Sequence, residues 1–138
     1  MGVIRSEGVE ESMKFTIPVE PRTKKNSQQI CINKTTHRPF VVPSKQYKDF
    51  ESQALWFIES VGIDYPVNVK ALFYMKTKRK VDLTNLLEAL DDVLVKGGML
   101  VDDNCTIIKS HDGSRVLYDK ENPRIEVEIE RRENEWNI

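Results

Sequence analysis

The sequence has few cysteines and no long apolar run, and both absences narrow the classes of protein it can belong to. Only Cys31 and Cys105 occur among 138 residues, and neither is part of a CxxC pair. This disfavours a disulfide scaffold or a zinc–thiolate site, and we expect a cytoplasmic location. No apolar stretch approaches the ~20 residues that cross a bilayer, so we expect no membrane insertion.

Several familiar motifs of catalysis are also missing. The chain contains no Walker loop, no Rossmann fingerprint and no GxSxG sequence. His37 and His111 lack the spacing of metal ligands, and we interpret both as loop residues. Nucleotide-binding folds and serine hydrolases therefore have no support in the sequence.

The composition indicates one soluble globular domain. Of the 138 residues, 39% are hydrophobic and 31% are charged, which provides a core without the charge imbalance of a disordered chain. We interpret residues 1–12 as a flexible leader, 13–132 as the domain and 133–138 as a polar tail.

The net charge of -1 conceals an uneven distribution. Residues 13–81 hold 13 basic and 5 acidic side chains, whereas residues 82–138 hold 7 basic and 14 acidic ones. Such asymmetry suggests contact with a polyanion and a carboxylate site for cations, although two solvated faces would give the same count.

Hydrophobic periodicity predicts an α+β domain with a mixed β-sheet and two helices packed on one face. The predicted helices are 44–61, with Ser44 as N-cap, and 82–95, ended by Gly97 and Gly98. The predicted strands are 15–19, a hairpin of 29–32 and 39–42, then 67–75, 106–108 and 125–130. The stretch from 109 to 124 is interpreted as a loop.

The second predicted helix is amphipathic, and its polar side is rich in carboxylates. At 100° per residue its leucines and valines share one arc, opposite Thr84, Asn85, Glu88, Asp91 and Asp92. Asp82 precedes the helix, and Asp102 and Asp103 follow it. Carboxylate oxygens are the ligands that Mg²⁺ prefers, and such ions promote phosphodiester hydrolysis. The alternatives are local: a helix N-cap at Asp82, a solvated helix face, and a turn at Asp102 and Asp103.

A run of cations directly precedes these acids. Lys76, Lys78, Arg79 and Lys80 occupy four of five positions, and Lys24 and Lys25 lie in an earlier basic loop. Lys and Arg supply most contacts to nucleic-acid phosphates, so we expect these six residues to bind DNA. A solubilising loop is the alternative.

Together these segments resemble the RusA family of Holliday junction resolvases. The resemblance rests on four segments, which read Lys78-Arg79-Lys80-Val81-Asp82-Leu83-Thr84-Asn85-Leu86, then Asp92, then Lys96-Gly97-Gly98, and Val101-Asp102-Asp103. The segments around Ile17–Pro18, Lys24–Ser27, Pro43–Tyr47 and Pro123–Val127 also resemble the family, so the similarity extends from about Phe15 to Glu130.

The resemblance implies a Mg²⁺-dependent (or Mn²⁺-dependent) homodimer that cuts four-way DNA junctions in recombination, repair or prophage DNA processing. It implies that Asp82, Asp92 and Asp103 are catalytic and hold the metal. Thr84 stands where the family usually has a second aspartate, and Glu88 stands where it usually has a catalytic lysine. Because Thr84 and Glu88 are four residues apart on a helix, we predict that Glu88 assists catalysis.

The sequence is compatible with three hypotheses. The first is a metal-dependent, structure-selective endonuclease for branched DNA. The second is a junction-binding protein whose catalysis is weakened or lost through Thr84 and Glu88. The third is a DNA-binding module without a metal.

Overall fold

A computed structural model of the protein describes residues 4–6, 12–24 and 28–133. Its two helices are α1 (Lys45–Leu55) and α2 (Leu83–Lys96). Its strands are β1 (Ile4–Ser6), β2 (Ser12–Ile17), β3 (Gln28–Ile32), β4 (Pro39–Pro43), β5 (Val67–Met75), β6 (Ile108–Ser110), β7 (Arg115–Tyr118) and β8 (Arg124–Arg131). The predicted α+β architecture with two helices is confirmed.

The main sheet is mixed and is organised around β5. Its strand order is β1-β2-β8-β5-β6, and β7 pairs with β5 on the same side as β6. The pairs β1–β2, β2–β8 and β8–β5 are antiparallel, whereas β6 and β7 run parallel to β5. Because a parallel neighbour requires a crossover connection, α2 lies between β5 and β6 in the chain.

The core lies between one face of this sheet and the apolar sides of the helices. Alternate residues of β2, β5 and β8 are buried, as period-two strands require. From the helices the buried side chains are Tyr47, Phe50, Ala54, Leu86, Leu87, Ala89, Leu90, Asp91, Val93 and Leu94. The predicted apolar arc of α2 therefore faces the sheet, with Asp91 buried alongside it.

Helix α1 begins where it was predicted but ends earlier. Ser44 is its N-cap, and its hydroxyl accepts a hydrogen bond from the Tyr47 N–H at 3.2 Å. The helix ends at Leu55, and Trp56 beyond it is 87% exposed. The chain turns here because Ile58 packs against Gly97, where an added Cβ would lie 2.5 Å from Ile58 Cγ2. Gly98, with a φ of +80°, then completes the turn after α2.

Two segments that were predicted as irregular contain strands. The predicted loop from 109 to 124 contains β7, whose Leu72↔Arg115 to Met75↔Tyr118 register joins it to β5. The predicted leader contains β1, which pairs with β2 through Ile4↔Lys14 to Ser6↔Ser12. The loop interpretation of residues 109–124 is corrected, because strand pairing supplies an order that local sequence does not show. The limits of leader, domain and tail stay a prediction, since residues 1–3, 7–11 and 134–138 lie outside the described part.

The predicted hairpin forms a small sheet of its own. Strands β3 and β4 pair from Gln28↔Pro43 to Ile32↔Pro39. Ile30, Ile32 and Val41 share one face of it and are largely exposed. Within the described residues, Cys31 and Cys105 are free thiols, and neither helix is long and apolar enough to cross a membrane.

Candidate functional site

Asp82 occupies the N-cap of α2 without acting as a side-chain cap. Its backbone is extended, and its carbonyl accepts the hydrogen bonds of Asn85 and Leu86 N–H groups. Its carboxylate makes no cap hydrogen bond and instead accepts one from Asn85 Nδ2 at 3.3 Å. The side chain is exposed, so this carboxylate is not committed to the backbone of the helix and is accessible to a ligand.

Asp92 is paired with a lysine from the other end of the sequence. Lys24 Nζ donates to Asp92 Oδ2 at 2.6 Å, and the two side chains are 37% and 30% exposed. The loop that carries Lys24 is held in place because its neighbours Pro21 and Thr23 are buried. The hydrogen bond to Asp92 raises the pKa of Lys24, against the opposing effect of burial. The predicted DNA-binding residue Lys24 therefore lies in the acidic site.

Two further acids lie close enough to Lys24 for their charges to affect its pKa. The negative charges of Glu51 on α1 and Glu88 on α2 both act on it and contribute to its raised pKa. Glu51 also accepts a hydrogen bond from Lys96 Nζ at 2.7 Å. Because Glu88 and Asp92 are four residues apart, they lie on the same side of α2. We call Glu51, Glu88 and Asp92 the acidic triad.

Tyr47 is a buried tyrosine of α1 close to this triad. Its side chain is 1% exposed, and its ring centroid is 5.7 Å from Lys24 Nζ. Burial raises the pKa of Tyr47, and the charges of the three acids together with a hydrogen bond to Glu51 raise it further. Glu51 is four residues after Tyr47 on α1, so the two side chains lie on the same side of the helix.

Asp91, the residue next to Asp92, has a different environment. It is only 9% exposed, and His111 Nε2 lies 2.9 Å from its Oδ2 and 3.1 Å from its Oδ1. Burial raises the pKa of Asp91, the hydrogen bond to His111 opposes that shift, and the charges of Asp103 and Asp92 add to it. His111, interpreted from sequence as a loop residue, is thus the partner of a buried acid.

A buried asparagine holds the loop that presents His111. Asn68 on β5 accepts hydrogen bonds from Ser110 Oγ at 2.5 Å and from the Asp112 N–H at 2.7 Å. Its amide nitrogen donates to the Asp112 carbonyl at 3.1 Å. Three hydrogen bonds to one side chain thereby fix the residues on both sides of His111.

Asp102 and Asp103 lie in an exposed turn before β6. The Asp102 carboxylate accepts the Asp103 N–H at 2.7 Å, which lowers the pKa of Asp102. Asn104 Oδ1 accepts the Thr106 N–H in the same way. The side chains of Asp102 and Asn104 thus make the local hydrogen bonds of a turn, which is the alternative given above for this segment. Asp103 is nonetheless near enough to Asp91 for its charge to raise the pKa of that acid.

The three predicted metal ligands are not gathered into one group. Asp82 and Asp92 are ten residues apart on a regular helix, which separates them by about 15 Å along its axis. A single Mg²⁺ with bonds of about 2.1 Å cannot join them within one chain. Within residues 4–6, 12–24 and 28–133, no set of three or more His, Cys, Asp or Glu side chains is placed to hold a metal ion.

The donors around Asp92 nevertheless fit a divalent cation in their chemistry. They are carboxylates, which hard cations prefer, and a positive group already lies among them in the form of the Lys24 ammonium. The predicted ligand set of Asp82, Asp92 and Asp103 stays a prediction. In the structure Asp92 pairs with Lys24, and Asp103 lies close enough to Asp91 for its charge to raise the pKa of that acid.

A basic groove of about 480 Å³ opens at the N-terminal end of α2. Its cationic lining comes from the predicted residues Lys76, Arg79 and Lys80 together with Arg22. Arg22 also donates to the Glu20 carboxylate at 3.2 Å. The predicted Lys78 instead lies over the ring of Tyr118, with Nζ 5.1 Å from the centroid. Lys25 lies outside the described residues.

Sequence reasoning missed Glu51, His111 and Arg22 as parts of this region, and it placed Asp91 on the solvated side of α2, whereas Asp91 is buried. Arg22 could have been found, because it lies in the same basic loop as Lys24 and Lys25. Glu51 stands on the polar side of a predicted helix, where acids are ordinary. The partners of Asp91 and Glu51 come from distant parts of the chain, so no spacing in the sequence marks them.

Comparison with known proteins points to one family. A family model described as endodeoxyribonuclease RusA matches residues 18–130. The chain is also similar to the crossover junction endodeoxyribonuclease RusA of Aquifex aeolicus (strain VF5), with 29% identity over 83 residues. That alignment covers 57% of the chain and 65% of the relative.

Proposed function

Since the chain belongs to the RusA family, we propose that it is an endodeoxyribonuclease that resolves Holliday junctions and related branched DNA. The match over residues 18–130 includes α2, the basic groove and the acidic triad. The observation that carries the proposal is the position of the groove, because it opens beside the uncapped Asp82 at the N-terminal end of the same helix. A cationic groove and an accessible carboxylate thus lie side by side at one end of α2.

The groove has the chemistry to bind the DNA backbone. Its four cations come from two separate segments, and Glu20 is the acid that lines it with them. Lys and Arg bind phosphate oxygens without reading base sequence, which suits an enzyme that selects the shape of its DNA. The forked donors of Arg22 and Arg79 can each engage two phosphate oxygens.

Mg²⁺ dependence is part of the proposal, with Mn²⁺ as a substitute. Asp82, Asp92 and Asp103 are the residues predicted to hold the ion, and Glu88 on α2 is predicted to assist catalysis. Of these, Asp82 offers its carboxylate next to the groove. A bound divalent ion supplies an activated water and charge stabilisation for phosphodiester hydrolysis. The chain's own residues position the DNA strand, through the groove, over the polar side of α2.

We also propose a homodimer, a role in recombination, repair or prophage DNA processing, and a cytoplasmic location. A twofold dimer presents two equal sites, which matches the symmetry of a four-way junction and of paired nicks. Measurement of the molar mass by light scattering checks this part, and a monomeric mass with and without junction DNA would contradict it.

The test of function is nicking of a synthetic four-way junction. We expect paired nicks with Mg²⁺ or Mn²⁺ and none with EDTA, and we expect Asp82→Asn to bind the junction while cutting it far more slowly. Linear duplex of the same sequence is the control substrate. Junction binding without cleavage by the wild type would refute the nuclease, and unchanged cleavage by Asp82→Asn would refute the role of that carboxylate.

A further inference from the structure

The β3–β4 hairpin presents an apolar face that no described part of the chain covers. Ile30 is 77% exposed, Ile32 66% and Val41 58%, and the pairing of Ile30 with Val41 places all three on one side of the hairpin. Among the described residues, the only extensive contact of either strand is with the other strand. A two-stranded hairpin is of marginal stability alone, and adjoining exposed apolar side chains mark a binding surface. The hairpin therefore has the form of an element that meets a partner.

The tip of the hairpin is held in one shape by hydrogen bonds. The Asn33 N–H donates to the Arg38 carbonyl at 2.9 Å, and the His37 N–H donates to the Asn33 carbonyl at 2.8 Å. Asn33 Oδ1 also accepts the N–H groups of Thr35 and Thr36 at 2.8 and 2.9 Å. Because the apolar face is already ordered, less conformational entropy is lost when it binds.

The charge around the hairpin selects a polyanion as the partner. Residues 21–48 contain seven Lys or Arg side chains and no Asp or Glu. Lys34 and Arg38 at the tip are exposed. Two copies of the hairpin would bring cations next to cations in either orientation, because neither the tip nor the segments at the base supply an acid, and like charges disfavour such contact. The phosphates of a nucleic acid supply the missing negative charge.

The hairpin stands at the edge of the basic groove. The chain enters the hairpin after Thr23 and leaves it before Gln46, and both residues line the groove together with Arg22. Strands of five residues at about 3.3 Å per residue reach about 16 Å from that edge. This length exceeds the ~12 Å width of the major groove of DNA. The apolar face can therefore reach the bases of DNA whose backbone lies in the basic groove.

We propose that the β3–β4 hairpin is a wedge for branched DNA. Ile30, Ile32 and Val41 insert against the base pairs at the branch point, and Lys34 and Arg38 bind the phosphates beside it. Apolar side chains that insert between base pairs must unstack them, and this costs least where the stack is already interrupted. The hairpin thus selects the shape of the DNA, whereas the basic groove binds the backbone of any DNA. The inference rests on the proposed function in taking branched DNA as the ligand, but it concerns binding and not cleavage.

The first experiment places 2-aminopurine next to the branch point of a synthetic four-way junction and measures its fluorescence with the full chain in EDTA. We expect the wild type to raise the fluorescence, because unstacked 2-aminopurine is brighter, and to leave it unchanged in a linear duplex. Ile30→Thr combined with Ile32→Thr keeps the β-branched shape of both side chains on an exposed face. This double variant should abolish the rise and weaken junction binding about tenfold, the factor for two buried methylene groups. Its affinity for the linear duplex should stay that of the wild type.

Val41→Thr and Val61→Thr are the matched pair of single variants. Each replaces an exposed valine by a threonine of nearly the same shape, but Val61 lies beyond the end of α1 and outside the hairpin. We expect Val41→Thr to weaken junction binding about fourfold and Val61→Thr to leave it unchanged. Equal weakening by the two variants would overturn the proposal, as would a fluorescence rise that persists in the double isoleucine variant.

The cations of the tip are tested by salt dependence. Lys34→Gln combined with Arg38→Gln should weaken binding to the junction and to the linear duplex alike. The slope of the logarithm of affinity against the logarithm of salt concentration should become less steep by about two, one unit for each lost phosphate contact. An unchanged slope would contradict the contact of the tip with phosphates.

A measurement on the wild type covers the case in which the substituted chains fail to fold. The δ1-methyl NMR resonances of Ile30 and Ile32 are followed as junction DNA is added in EDTA. We expect ring currents of the bases to shift both resonances, while the resonance of the buried Ile17 stays. Constant Ile30 and Ile32 resonances at saturating junction would overturn the proposal.

Light scattering decides between DNA and a second copy of the chain as the occupant of the apolar face. A wild-type dimer that becomes monomeric on Ile30→Thr with Ile32→Thr would make the face an interface between copies and overturn the wedge, whereas an unchanged molar mass supports it. A fluorescence rise without junction nicking in Mg²⁺ would refute the nuclease and leave this inference standing. Junction nicking without a fluorescence rise would do the reverse.

Discussion

Asp91 and Asp92 are neighbours in sequence, yet their surroundings differ in burial, partner and accessibility. Asp91 faces inwards, 9% exposed, with His111 at 2.9 Å. Asp92 lies at the surface end of the acidic triad with Lys24 at 2.6 Å. A step of 100° around α2 is enough to separate a buried acid that pairs with a loop histidine from a partly exposed acid that pairs with a lysine. Clustered acids in a sequence are therefore not evidence of a shared role.

The largest effect is expected from Asp92→Asn. If Asp92 belongs to the reacting site, this substitution lowers the single-turnover rate of junction nicking by about 10- to 100-fold, the range found when groups around a metal are removed. Its free energy of unfolding should change little, because the side chain is partly exposed. Asp64→Asn, an exposed acid outside the site, is the control. A rate within threefold of the wild type would show that Asp92 matters no more than an exposed acid such as Asp64. It would contradict the contrast drawn between Asp91 and Asp92.

Asn68→Ala tests how firmly the Asp91 side is built. The substitution leaves the Ser110 hydroxyl and the Asp112 N–H without their acceptor in a partly buried position. We expect a loss of about 3 kcal/mol in the free energy of unfolding, measured with urea. Asn33→Ala removes an acceptor of two backbone N–H groups on the exposed hairpin, where water replaces it, and should cost less than about 1 kcal/mol. Similar losses of unfolding free energy in Asn68→Ala and Asn33→Ala would contradict the role of Asn68 as the residue that holds the His111 loop.

His111→Ala removes the partner of the buried acid. We expect a loss of about 2 kcal/mol of stability, because Asp91 stays buried without its hydrogen bond. The nicking rate should fall much less than in Asp92→Asn. His37→Asn is the control, since His37 is exposed and its φ of 59° suits asparagine. A large loss of nicking with unchanged stability would reverse the roles given to the two sides of α2.

The smallest effect concerns pH. The folded-state pKa of Asp91 is raised above its ordinary value of 3.8, so its contribution to stability is fully present below pH 3.8 and is lost as the pH rises through the folded-state pKa. The wild type should therefore lose stability relative to Asp91→Asn as the pH increases from 3.8. This loss of stability with pH is expected to be smaller than the loss of stability in His111→Ala, because the hydrogen bond to His111 opposes the rise in the pKa of Asp91. If the wild type instead gained stability relative to Asp91→Asn as the pH rises, burial would not be the main influence on the pKa of Asp91.

Much of the fold follows from local pattern. The strands β5 and β8, the apolar arc of α2, the N-cap at Ser44 and the hairpin were all predicted, and each depends on residues within one turn or one strand of each other. The four residues of β7 were missed, because three of them are exposed and their order comes from pairing with β5 rather than from alternation. Prediction failed where a segment's structure depends on its neighbour in the sheet.

The site was predictable only in part. The sequence indicated that acids and cations concentrate around α2, and the basic groove includes three of the predicted residues. The separation of about 15 Å between the predicted ligands Asp82 and Asp92 was overlooked, although ten residues at the helical rise of about 1.5 Å per residue give that distance. Glu51 and Arg22 become part of this region only because α1 and the N-terminal loop pack near α2.

Local sequence was enough to predict most helices and strands of this protein and its family, because periodicity and motif spacing are properties of residues close together in the chain. The tertiary structure decided which charges meet. Lys24 and Asp92 are 68 positions apart, and Asp91 and His111 are 20 apart. A side chain's partner across such a distance depends on where the sheet and the anchored loops place it, and that placement is a result of packing the whole chain.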